Sequence, residues 1–142
     1  MYRQMNEQAR MLVSMAKRER DRAVREDPTL LRGDFHAAAV LSASGHVCIE
    51  TTLWLGGDAG AGKVPAIMRA LSELAKERES DDRDIIMVAV YGGEPGEDPR
   101  IHAPCQDCMR KMVAFDSDHE LDIVVDVDGQ PMLTRMSALI TD

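Results

Sequence analysis

The sequence has no uninterrupted apolar run approaching the ~20 residues that a membrane-spanning helix needs, so no membrane partner is expected. Its opening residues, Met1-Tyr2-Arg3-Gln4-Met5-Asn6-Glu7, lack the apolar centre of a secretory signal, and a cytoplasmic location is expected. Positive charge is also scarce: 17 Lys and Arg stand against 25 Asp and Glu, a net charge of −8. Residues 1–33 hold eight of those cations against five carboxylates, and the remainder holds nine against twenty. Nucleic-acid affinity comes largely from Lys and Arg on phosphates, so an acidic body excludes nucleic acid as the expected partner. The basic stretch Lys17-Arg18-Glu19-Arg20-Asp21-Arg22 reads as a solvated helix face. Cysteine is limited to three residues, an odd number that does not fit a secreted disulfide framework. Cys48 lies in an apolar stretch and reads as a small buried residue.

What is present suits one soluble domain, residues 1–142, with 44% hydrophobic and 30% charged residues. Met5, Ala9, Leu12, Ala16 and Ala23 recur at helical spacing, which predicts an amphipathic helix over 2–26. Asp27-Pro28 ends it, because proline disfavours helix in the residue before it. Short strands are predicted over 35–41 and 46–55, joined at Ser42-Ala43-Ser44-Gly45 into a hairpin. A helix follows from Pro65 to about 78, with Ile67, Ala70, Leu71, Leu74 and Ala75 on one face. Residues 85–91 and 121–127 are continuous apolar runs, the pattern of buried parallel strands. Between them lie a Gly/Pro loop over 92–103 and a helix over 104–115; Asp128-Gly129 is a turn, and 132–140 gives a strand and a helical turn. The order α-β-β-α-β-α-β-β predicts a mixed sheet with helices on its faces.

Two motifs carry chemistry. Pro104-Cys105-Gln106-Asp107-Cys108 spaces two thiols for a metal or for a redox pair. Residues 57–63 match the phosphate-binding pattern Gly-x-x-x-x-Gly-Lys between a strand and a helix. The next residue is Val64 rather than a magnesium-holding Ser or Thr, and the preceding strand belongs to a hairpin. A glycine-rich loop able to hold an anion through N–H groups and Lys63 is the simpler reading.

With these elements in order, the chain resembles the cytidine deaminase family, its blasticidin-S deaminase branch included. Phe35-His36-Ala37-Ala38-Ala39-Val40-Leu41 is similar to the family's Phe-x-Val-Gly-Ala-Ala strand, and Pro104-Cys105-Gln106-Asp107-Cys108 to its Pro-Cys-x-x-Cys. The turn at Gly45, the helix from Pro65 and the ending Thr134-Arg135-Met136-Ser137-Ala138-Leu139-Ile140 fall in the family's order, so the likeness runs the whole length. It implies a three-layer α/β/α cytidine-deaminase-like fold with a mixed five-stranded sheet and an N-terminal hairpin. It also implies zinc as cofactor and assembly into a homodimer or homotetramer.

The departures from the family pattern concern its chemistry. The family's Cys/His-Ala-Glu triplet supplies a third zinc ligand and a proton-shuttling Glu. It aligns here with Val64-Pro65-Ala66, which can do neither. The ribose-binding Asn-x-Glu aligns with Thr52-Leu53-Trp54, and Gln106 and Met109 replace the usual Gly and Arg. Carried over are Cys105, Cys108 and Phe35, whose family counterpart lines the base pocket. The expected metal set is Cys105, Cys108 and His102, with His36 and Cys48 as other candidates for the third place. The expected substrate-binding residues are Phe35, Trp54 and Lys63. No catalytic residue is selected, since nothing in the spacing of Glu50, Glu73 or Glu94 favours one. The expectation is a divergent member without hydrolytic nucleoside deaminase activity. It would keep the pocket for a small heterocyclic ligand, or a surface for a protein partner or subunit. The alternative is a zinc-dependent aminohydrolase with rewired ligands acting on a non-nucleoside amine or amide; nucleotide hydrolysis at 57–63 is third.

Overall fold

A computed structural model describes residues 2–54, 62–77, 84–116 and 120–141. Helix α1 runs Glu7–Glu26 and not from residue 2. Asn6 sets its start by accepting the Ala9 N–H at 2.8 Å, satisfying a donor that the first turn leaves free. Before it, Arg3 exchanges backbone hydrogen bonds of 2.7 and 2.8 Å with Leu133, so the opening residues are held extended. After α1, Asp27 accepts the Thr29 N–H and begins a 3-10 turn over Pro28–Arg32.

The sheet begins with β1 (Phe35–Ser42) and β2 (Val47–Thr51), an antiparallel hairpin as the sequence implies. The strand expected over 46–55 breaks at Thr52. Its N–H donates to His36 O at 2.9 Å, and its Oγ1 accepts the His36 N–H at 3.0 Å. The chain then leaves the sheet as β3 (Leu53–Trp54), which pairs antiparallel with β4 (Lys63–Val64) in a separate ribbon. Most of the 57–63 motif lies outside the described residues. The strand leading towards it is antiparallel to the one leaving it, and a hairpin precedes both. That arrangement does not support the nucleotide-hydrolysis expectation.

Helix α2 is Ala66–Glu77. Pro65 stands just outside it, its carbonyl accepting the Met68 and Arg69 N–H groups. Strands β5 (Ile85–Gly93), β6 (Arg100–His102), β7 (Asp122–Val127) and β8 (Gln130–Arg135) complete the sheet, with α3 (Gln106–Met112) before β7. The main path is β2-β1-β5-β7-β8, five strands, and β5 and β7 are parallel. The sixth, β6, lies in the stretch expected as loop. A turn through Gly96 (φ 82°) folds it back on β5 from Val90 to Gly92, beyond where β7 pairs. Helix α3 is shorter than the predicted 104–115 because its last turn tightens to 3-10 over Val113–Phe115. Asp128 (φ 52°) and Gly129 (φ 85°) both adopt the positive φ that a two-residue hairpin turn requires.

Strand alternation separates two cores. Ala37, Ala39 and Leu41 of β1 pack under α1 with Ala9, Leu12 and Ala16. Ala38 and Val40 face the other way, in one cluster with Ala70, Leu71 and Leu74 of α2 and Cys108, Met109 and Met112 of α3. The molecule is thus three layers, α1 on one face and α2 with α3 on the other. Fully buried Leu12 and Leu74 each contribute about 1.5–3 kcal/mol by leaving water.

Candidate functional site

A cavity of about 250 Å³ opens on the α2/α3 side of the sheet, where β1 begins and α2 and α3 start. Pro65, Ala66, Ile67 and Val90 give it apolar wall; Asp34, His36, Thr52, Lys63, Glu94, His102 and Cys105 bring polar groups to it. His36, Lys63 and His102 are positioned by strand pairing. His36 is held between Thr52 and β5, where it lies opposite Gly92. Only glycine is tolerated at that point. A Cβ on Gly92 would come 2.1 Å from Phe35 O and 2.6 Å from His36 Cα, and its φ is +156°. Gly92 O also accepts from His102 Nε2 at 3.0 Å. A carbonyl can only accept, so that nitrogen carries the proton and only Nδ1 keeps a lone pair. One glycine therefore organises both histidines, whose rings meet edge to face at 4.9 Å.

Burial pushes the His36 pKa down from 6.5 to about 4, and repulsion from His102 adds to it. His36 is therefore a neutral imidazole at physiological pH. Asp34 and Lys63 neutralise one another through a 2.6 Å ion pair. Among the described lining residues, neutral His36 and the paired Asp34 and Lys63 offer hydrogen-bonding groups, and Glu94 adds a carboxylate.

Cys105 caps α3 and Cys108 lies one turn on, its N–H donating to Cys105 Sγ at 3.4 Å. The two sulfurs are 3.1 Å apart and share a hydrogen bond. Cys105 is exposed and lines the cavity; Cys108 is buried beneath it. Burial, followed by its bond to Cys105, pushes the Cys108 thiol up to about 12. Gln106, between them, donates to Leu139 O and accepts from the Thr141 N–H, both at 2.8 Å. Its departure from the family's glycine is thus a clamp on residues 139–141, and Met109 departs from the family's arginine as a core residue, 2% exposed.

Of the three residues expected to bind substrate, Lys63 lines the cavity and Phe35 and Trp54 do not. Phe35 is buried on the strand parity that packs under α1, so its neighbour His36 takes the cavity side. Trp54 sits against Gly33 and donates from Nε1 to Asp34 O at 3.1 Å, with Lys63 Nζ 5.8 Å from the ring centroid. Of the three glutamates weighed from the sequence, Glu50 pairs with Arg69 and Glu73 with Lys76, while Glu94 lines the cavity. Asp34 and Thr52 are the polar lining residues that sequence reasoning missed.

Zinc needs three or four protein donors. The structure brings Cys105 and Cys108 together and sets His102 in the same cavity wall, with Nε2 engaged on Gly92 O. Pro65 and Ala66 line the α2 side, and Val64 is paired with Leu53 outside the lining. Among the described residues, no three of His, Cys, Asp and Glu are gathered to hold a metal ion. The donors as they stand do not fit a zinc centre.

No family model matches the chain, and no curated protein matches its sequence. Solved structures do match it in three dimensions. The cytidine deaminase from Bacillus anthracis superposes with a TM-score of 0.68 at 13% identity, over 92% of this chain and 84% of that one. The Burkholderia pseudomallei cytidine deaminase gives 0.63 at 22% identity, over 97% and 98% of the two chains. The Mycobacterium tuberculosis enzyme gives 0.63 at 17%, over 91% and 94%. The molecule is an α/β protein with a mixed sheet between helical layers. Its fold is that of the cytidine deaminases.

Proposed function

We propose that this chain is a divergent cytidine-deaminase-like protein that binds a small, largely uncharged heterocycle and does not hydrolyse the amino group of nucleosides. The observation that carries the reading is the cavity wall at the start of α2. Pro65, Ala66 and Ile67 stand there with Cys105, where hydrolytic deamination would need a further ligand and a carboxylate moving protons. The remaining lining suits a heterocycle, with apolar wall from Ile67 and Val90 and hydrogen-bonding capacity from neutral His36 and from His102. Assembly into a homodimer or homotetramer is part of the proposal, and light scattering on the purified protein tests it. An ultraviolet assay at high protein concentration tests the activity. Cytidine, deoxycytidine and blasticidin S should remain unconverted, while cytidine or uridine should bind saturably by calorimetry. Zinc-dependent formation of uridine at sustained turnover would overturn the proposal.

The second reading is a zinc-dependent aminohydrolase with Cys105, Cys108 and His102 as ligands, acting on a non-nucleoside amine or amide. Its support is that Cys105, His102 and Glu94 share one cavity with Cys108 directly behind. It would use Nδ1 of His102, since Nε2 is engaged on Gly92 O. Metal analysis of protein purified without added zinc separates the two, because stoichiometric tetrahedral zinc belongs only to the second.

A further inference from the structure

The pair Cys105 and Cys108 has a geometry of its own, independent of any heterocycle in the cavity. Their sulfurs stand 3.1 Å apart, and a disulfide is ~2.05 Å long, so closure needs a movement of only about 1 Å. The two thiols are unequal in access. Cys105 is exposed in the cavity wall, whereas Cys108 is 4% exposed and packed in the core. The Cys108 N–H bond to Cys105 Sγ turns the outer sulfur back towards the inner one. Gln106 pins the intervening backbone to residues 139–141. Among the described residues, no third donor joins them in a metal centre.

We infer that Cys105 and Cys108 form a reversible dithiol–disulfide couple that exchanges with low-molecular-weight disulfides entering the cavity, Cys105 as the attacking sulfur and Cys108 as the resolving one. The exchange has two steps. The Cys105 thiolate attacks one sulfur of the small disulfide, whose S–S bond breaks and releases one thiolate that takes up the Cys105 proton. Cys108, giving its proton to solvent, then attacks Cys105 Sγ in the mixed disulfide. That bond breaks, Sγ–Sγ forms, and the second small thiolate leaves to be protonated in turn. One small disulfide is reduced to two thiols, and the protein dithiol is oxidised by two electrons. The assignment goes beyond the proposed ligand binding and does not rest on it.

Glutathione disulfide is the probe. The full chain is equilibrated in glutathione buffers of increasing oxidised fraction, alkylated, and its free thiols counted by intact mass spectrometry. Two of the three thiols should disappear together and return with dithiothreitol, while Cys48, buried on β2, stays reduced. Cys108→Ser should accumulate one glutathionyl group on Cys105, a species that does not build up in the unsubstituted chain. Cys105→Ala alters the exposed sulfur, so it keeps the test open if Cys108→Ser fails to fold; it should abolish the paired oxidation. Three free thiols persisting in the most oxidising buffer would overturn the inference. So would a folded Cys108→Ser chain with no adduct, or one zinc per chain in the purified protein shielding both sulfurs.

Discussion

Lys63 of β4 reaches Asp34, 29 residues earlier in the chain, through a 2.6 Å ion pair that fastens the β3–β4 ribbon to the start of β1. Asp34 is fixed from the backbone side too, since its carbonyl accepts from Trp54 Nε1. Its other carboxylate oxygen is buried with no hydrogen-bond partner among the described residues. Removing the ammonium therefore strands a carboxylate whose side chain is 12% exposed. Lys63→Met should cost about 1–2 kcal/mol in urea denaturation, between an exposed pair and a buried one. Adding Asp34→Asn should recover part of that loss, a coupling that a double-mutant cycle reads directly.

Stability should depend on pH through His36. Its imidazole titrates near 6.5 when unfolded and near 4 when folded. Between those values the unfolded chain binds more protons, so stability rises with pH. The contribution is complete above about 6.5 and is lost as pH falls towards 4. His36→Gln should flatten the fall in urea midpoint between pH 7 and 5; an unchanged slope would place the titrating group elsewhere.

Gln106→Ala removes two 2.8 Å bonds to residues 139–141. Stability should fall by about 1–2 kcal/mol. Amide exchange should quicken at Thr141 without a matching change in the β1–β5 ladder. Equal loosening throughout would mean that the clamp is not local.

Gly33→Ala should disturb Trp54, the chain's single tryptophan. The new Cβ would lie 2.9 Å from Trp54 Cζ2, closer than the indole can accept in place. A red-shifted emission and about 1–3 kcal/mol of overpacking cost are expected. An unshifted emission maximum would show that the indole accommodates the methyl group without moving.

The hairpin and the parallel strands were legible because a continuous apolar run such as 85–91 suits only a strand covered on both faces. The same property hid the site. Almost every residue of β1 is buried, so hydropathy carries no alternation to say that His36 rather than Phe35 faces the cavity. Cys105 and Cys108 declared themselves by spacing, a purely local signal. Asp34 could not, because its partner Lys63 is distant in sequence, and neither residue type is unusual in a polar loop. The break at Thr52 was equally silent, since its cause is one hydroxyl bonded across to the His36 backbone.

Ala37, Ala38 and Ala39 are each fully buried, with helices pressing on the strand from both sides. In a close-packed interior an added methylene has to displace neighbours, at a typical cost of about 1–3 kcal/mol. The floor of the molecule is in that sense closed to evolution and to the engineer alike. Change at the proposed site therefore falls to the rim, in the β3–β4 ribbon and the turns after β5, where side chains are replaceable without opening the sheet.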